Sequence, residues 1–240
     1  MNHYKHRFTL PAILILLGIV LGGFIYAFFN LRTNTTVPRG SNMSVLGVEL
    51  DQNTDGVDLH QLEKEGISFV YLRATQGKTY FDDNYLIYRD RILGTKLSFG
   101  SIITFSNESS VQSQFNYFEQ QVGQNTGNLP IMIVPAIKTD SSKYWKNMAQ
   151  FSQKLNNLGK KVLVAGDYTK KKYFPTGFPT GTEFLYTGAS LHNKNEYSFW
   201  CYTQAGRVKN VNNLGDNVTM FAYIGNMSGY QAKYATSFTQ

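Results

Sequence analysis

The chain opens with an unbroken apolar stretch and then changes rhythm. From Phe8 to Leu31 there are 24 consecutive residues without a charge, rich in Leu, Ile, Gly and Phe. As a helix this stretch would run about 36 Å at roughly 1.5 Å per residue, longer than the ~30 Å hydrocarbon core of a bilayer. From Val45 onward, short apolar runs alternate with amphipathic or polar stretches. The runs predict strands at 45–50, 67–74, 97–103, 129–134, 161–166, 183–187, 197–203 and 218–223. The stretches between them predict helices at 58–65, 83–94, 109–122 and 142–158. Asp58 and Ser109 stand where N-caps are expected, and Gly66, Gly94 and Gly159 where helices end. Strand–helix alternation through the first five strands points to a parallel α/β sheet. Eight strands in this order predict a closed or nearly closed β/α barrel, with loops replacing helices in the last third.

The apolar stretch divides the chain. It ends in Tyr26-Ala27-Phe28-Phe29-Asn30, bulky where a signal peptidase needs small residues, so an uncleaved anchor is expected over a cleaved signal peptide. Lys5 and Arg7 precede it and Arg32 and Arg39 follow it, a near balance of flanking charge. The large downstream domain then decides the orientation. The expected organisation is a cytoplasmic tail over 1–7, a transmembrane anchor over 8–31, a polar stalk over 32–44 and an extracytoplasmic barrel over 45–240. The protein is thus expected as a single-pass component of a cell membrane.

Composition narrows the function. A chain with 42% hydrophobic residues is not disordered, and one apolar span does not make a multi-span transporter. The sole cysteine, Cys201, excludes an internal disulfide framework and a cysteine-rich zinc site. All 16 acidic residues lie at or after Glu49; with Lys5, Arg7, Arg32 and Arg39 set aside, 19 basic residues face them. So small an excess does not support nucleic-acid binding. His60 in a polar helix and His192 in a loop do not suggest a metal site, and nothing calls for a cofactor. Lys170-Lys171-Lys172 reads as a solvated basic loop, or as a contact to anionic wall polymers or lipid headgroups.

In a β/α barrel the chemistry sits at the C-terminal ends of the strands. Those ends carry an ordered series: Gly47-Val48-Glu49-Leu50-Asp51-Gln52; Arg73-Ala74-Thr75-Gln76-Gly77; Tyr80-Phe81-Asp82; Gly100; Leu129-Pro130-Ile131-Met132-Ile133; and Phe199-Trp200-Cys201-Tyr202-Thr203 before Gly206-Arg207-Val208. Together they resemble glycoside hydrolase family 25, the lysozyme-like N-acetylmuramidases, from residue 45 to about 224. The resemblance implies a flattened, TIM-barrel-like β/α fold of about eight strands that acts on peptidoglycan glycan strands. It also implies an Asp-x-Glu pair at the end of the fourth strand, where alternation puts both carboxylates on one face.

The chain departs from that pattern where the carboxylates belong. Val134-Pro135-Ala136 replaces Asp-x-Glu. Glu49 stands for an aspartate, Gln76 for the acid after Arg-Ala-Thr, Ile102-Ile103 for Tyr-His, and Asn217 for an acid near the end, unless a one-residue slip brings Asp216 there. Neither Val134 nor Ala136 can move a proton. Glu49 with Asp51 or Asp216 could form a rebuilt acid/base pair, or Glu49 and Asp51 could be a polar strand end. Trp200 and Tyr202 share one side of their strand, as a sugar-stacking platform or as barrel packing. Arg73 is expected to pair with Glu49 or Asp82, or to hold a substrate group. Three functions remain open: a domain that binds glycan strands or a cell-wall protein without efficient hydrolysis, an active muramidase using Glu49, and an interaction module without sugar binding.

Overall fold

The structure, a computed structural model, describes residues 9–30, 35–166 and 177–235. Residues 1–8 and 31–34, and with them the tail and the ends of the expected anchor, lie outside the described residues, as does the Lys170–Lys172 run. The chain divides into two units, residues 1–34 and 35–240. The first contains helix α1, Thr9–Asn30, without a charged side chain. Pro11 falls in its first turn, where a missing N–H leaves no bond unmade. Side chains from Ile13 to Ile25 are exposed. Among the described residues no helix is long and apolar enough to cross a membrane.

The second unit begins with β1 (Leu46–Leu50), α2 (Leu59–Lys64), β2 (Ile67–Gln76), β3 (Tyr80–Phe81), α3 (Tyr85–Ile92), β4 (Ser98–Phe105) and α4 (Val111–Val122). It continues with β5 (Ile131–Pro135), α5 (Ser142–Asn157), β6 (Val162–Ala165), β7 (Glu183–Thr187), β8 (Phe199–Gly206), β9 (Val218–Tyr223) and α6 (Met227–Tyr230). The sheet runs β1-β9-β8-β7-β6-β5-β4-β2 and closes where β1 pairs with β2. Neighbours from β1 through β2, β4, β5, β6 and β7 to β8 are parallel, and β9 is antiparallel to both β8 and β1.

All eight expected strands are present. The addition is β3, which folds back on β2 (Thr75 beside Phe81) after Gly77 turns at φ +59°. The helices begin and end within a few residues of expectation. Asp58 caps α2, its side chain accepting from Gln61 N, but Ser110 rather than Ser109 caps α4, accepting from Ser113 N.

The expected stalk is not a free linker over its whole length. Thr35 N donates to Arg207 O (3.1 Å), Arg207 N donates to Thr35 Oγ1 (2.6 Å), and Tyr202 Oη donates to Thr36 O (2.5 Å). Residues from Thr35 onward therefore belong to the folded unit, because a buried tyrosine hydroxyl and a loop carbonyl need those partners.

Two apolar layers follow from side-chain alternation. One face of the strands meets the helices: Val48, Leu50, Val70, Leu72, Ile103, Phe105 and Ile133 pack with Leu59, Leu62, Tyr85, Phe115 and Phe151. The other face fills the barrel with Phe69, Tyr71, Ile102, Met132, Leu163, Leu185, Phe199, Cys201 and Phe221. A Cβ on Gly47 would stand 2.1 Å from the Phe69 ring, and one on Gly100 would stand 2.6 Å from the Tyr71 ring. Glycine at these two positions is what lets large rings fill the interior. Phe69 and Phe199 meet edge to face at 5.5 Å, and Tyr71 and Phe221 at 5.7 Å.

Candidate active site

The mouth is built from inward-facing residues toward the C-terminal ends of the parallel strands. Alternation from Phe69 and Tyr71 turns Arg73 inward on β2, and alternation from Ile102 turns Thr104 inward on β4. By the same parity β1 contributes Glu49, β5 contributes Val134, and β8 contributes Cys201.

Arg73 meets Glu49 and not Asp82. Its Nε lies 3.0 Å and its Nη2 2.5 Å from Glu49 Oε1, with 37% of the arginine side chain and 12% of the glutamate side chain exposed. Burial alone would lower the arginine pKa. The Glu49 carboxylate, with smaller help from Asp51 and Tyr80, outweighs that and raises it. Asp82 is buried elsewhere: Oδ2 accepts from Gln52 N (3.0 Å) and Tyr80 Oη (3.3 Å), and Oδ1 from Asn84 N (3.0 Å). It ties the loop after β1 to the β2–β3 hairpin, and burial raises its pKa despite those donors.

Beneath the Glu49–Arg73 pair lies Cys201. Its thiol is pushed up to about 12, first by burial and then by the Glu49 carboxylate, so it is protonated and unreactive at neutral pH. Val134 packs against the barrel-filling layer. Ala136 is exposed just beyond β5. The Ala136 N–H donates to Phe105 O (3.0 Å) and Tyr144 Oη (3.1 Å), and that hydroxyl donates to Phe105 O (2.6 Å).

The other proposed acids are engaged locally. Asp51 accepts from Asn53 N at Oδ1 (2.8 Å) and from Asn53 Nδ2 at Oδ2 (3.1 Å), the pattern of a loop-closing aspartate. Asp216 lies in the β8–β9 loop with its Oδ1 3.1 Å from Arg207 Nε. That loop also reaches the β1–α2 segment through Asn213 Nδ2 and Gly56 O (3.3 Å). Gln76 and Asn217 are exposed on the rim.

Trp200 and Tyr202 require a correction. They do share one face, but it is the outer one: both belong to the layer outside the barrel and are only 2% and 8% exposed. Trp200 Nε1 donates to Gly188 O (2.6 Å), and Tyr202 reaches Thr36. A sugar cannot stack on either ring without unpacking β8, so barrel packing replaces the expected platform. Ile103 likewise faces the helices, and only Ile102 faces the interior. Among the described residues no group of three or more His, Cys, Asp or Glu side chains could hold a metal ion.

The family described as Glycosyl hydrolases family 25 matches residues 49–228, from the mouth glutamate to α6. Among solved structures, a family 25 glycosyl hydrolase from Bacillus anthracis has a TM-score of 0.69 at 17% identity, covering 81% of this chain and 95% of that one. The bacterial lysozyme from Streptomyces coelicolor gives 0.66 at 17% identity, with 82% and 100% covered. A family GH25 lysozyme from Aspergillus fumigatus gives 0.61 at 14% identity, with 79% and 98% covered. None of the curated proteins compared with the chain matches it. At these identities the structural likeness speaks for the barrel, and the family match speaks for descent. The chain belongs to glycosyl hydrolase family 25.

Proposed function

We propose that this protein is a membrane-anchored, cell-wall-facing member of the family that binds peptidoglycan glycan strands, or a protein acting on the wall, without cutting them. The observation that carries this reading is the end of β5. Val134 and Ala136 occupy the positions that the family resemblance gives to Asp and Glu, and neither can protonate a leaving oxygen or stabilise a cationic sugar. Loss of a general acid alone costs about 10²–10⁴-fold in rate. Glu49 does not replace the pair by itself, because its Oε1 carries two donors from Arg73 while Asp51 and Asp216 are engaged by Asn53 and Arg207. The structural relatives described as lysozymes support glycan as the ligand. Arg73, partly exposed at the mouth, is the group offered to it. The uncharged run from Phe8 to Leu31 and the exposed Ile and Leu side chains of α1 support the anchor, and the large domain that follows near-balanced flanking charges supports an extracytoplasmic position.

The apolar floor of the mouth, with Ile102, Val134 and Cys201, favours a second reading: an interaction module that no longer binds sugar. Sedimentation of the full-length protein, held in nonionic detergent, with purified peptidoglycan separates the two. Saturable retention that weakens in Arg73→Ala is the expected result, and absence of retention selects the interaction module. Carbonate extraction of membranes and protease accessibility of the barrel in intact cells test the anchor and its orientation.

A further inference from the structure

We propose that the end of the barrel opposite the mouth carries a second binding site, one that takes a phosphate group. A cavity of about 280 Å³ opens at the N-terminal ends of β5 and β6, walled by Gly127, Asn128, Lys160, Lys161, Lys233 and Tyr234. Three lysines from two distant parts of the chain line it. Lys160 Nζ donates to Gln124 O (2.7 Å), Lys161 Nζ donates to Lys233 O (3.2 Å), and Lys233 Nζ lies 3.0 Å from Glu183 Oε2. Among the described residues, Glu183 is the carboxylate that these contacts bring to the three lysines, through Lys233. Lys160 and Lys161 spend one donor each on a neutral carbonyl, so each keeps donors for a ligand.

The wall between the lysines is fixed. The Tyr234 ring lies 5.6 Å from Lys161 Nζ and 5.2 Å from Lys233 Nζ. Its hydroxyl donates to Glu183 Oε2 (2.5 Å), and its carbonyl accepts from Asn128 Nδ2 (2.8 Å). Lys160 and Lys161 also follow the C-terminus of α5, where a cation offsets the helix dipole. That accounts for roughly half a charge, not for three lysines lining one cavity, and Lys233 is not on that helix. Three point-charge donors around a hollow suit a tetrahedral oxyanion better than a planar carboxylate. The cavity is larger than one phosphate and has room for an ester substituent. Free phosphate and a phosphodiester on an anionic polymer share this chemistry.

Calorimetric titration of the full-length protein in nonionic detergent tests the site, with inorganic phosphate in one arm and a glycerol phosphate oligomer in the other. Saturable binding of at least one titrant is expected, weakened about tenfold or more in Lys160→Gln/Lys161→Gln and in Lys161→Glu. Tighter binding of the oligomer identifies the polymer as the source, and tighter binding of phosphate identifies the free anion. Absence of binding by either titrant overturns the proposal, as does undiminished binding by both variants. Peptidoglycan retention is expected to be unchanged in these variants, so failure here is distinct from failure at the mouth.

Discussion

The Glu49–Arg73 pair is the contact that organises the mouth, and its removal has a calculable cost. Arg73 places two donors on one carboxylate oxygen, at 3.0 and 2.5 Å. Hydrogen bonds to charged groups contribute about 1.5–3 kcal/mol, and stripping the partner from a fully buried pair costs about 3–5 kcal/mol. Glu49 is nearly buried, but more than a third of the Arg73 side chain is exposed, so solvent screening brings the cost down. Arg73→Ala is therefore expected to destabilise the barrel by about 2 kcal/mol. Glu49→Gln keeps the volume and one acceptor oxygen and should cost about 1 kcal/mol. The double variant should fall short of the sum by about 1 kcal/mol, the coupling of the pair. Urea unfolding followed by tryptophan fluorescence reads this directly, because Trp145 and Trp200 are the two tryptophans of the chain and both lie in the barrel unit. Additive single effects, or a smaller loss in Arg73→Ala than in Glu49→Gln, would refute the reasoning.

Other outcomes follow from the same geometry. Trp200→Phe removes the bond to Gly188 O and should lower stability by about 1 kcal/mol while leaving peptidoglycan retention unchanged; weakened retention at equal stability would restore the stacking platform. A chain beginning at Ser41 loses the partners of Arg207 and Tyr202, and its unfolding midpoint should drop by the equivalent of about 2–3 kcal/mol. Cys201 should react with a thiol reagent at pH 8 only as fast as the protein opens. Its ordinary pKa of 9.0 in the unfolded chain against about 12 in the fold means that stability is lost as pH rises between those values, which urea midpoints at stepped alkaline pH measure. Tyr85 and Tyr144, both raised by burial from 10.0 to about 12, act in the same direction between those two values.

The barrel was legible in the sequence because eight short apolar runs follow one another, with helical stretches and glycines between the first five. Parity was legible too, but not its phase. In Phe199-Trp200-Cys201-Tyr202 every residue is apolar, since both faces of a barrel strand are buried, so alternation shows that Trp200 and Tyr202 go together without showing which way they point. Glu49 and Arg73 could be placed because a charge at the end of an apolar run marks a strand reaching the mouth. The packing of residues 35–36 left no trace, because main-chain groups supply much of it from a segment as polar as any linker. Lys160 and Lys161 stand 72 or more residues from Lys233 and come beside it only when the segment around Lys233 packs against the start of β6.

The central claim is that a family 25 barrel persists here without its acid chemistry. The direct measurement is the release of new reducing ends from purified peptidoglycan by the full-length protein, with Glu49→Gln alongside. Release no greater than that of the protein-free control, from protein shown to be folded, is the predicted result. Release that Glu49→Gln abolishes would contradict the account and make Glu49 a working catalyst.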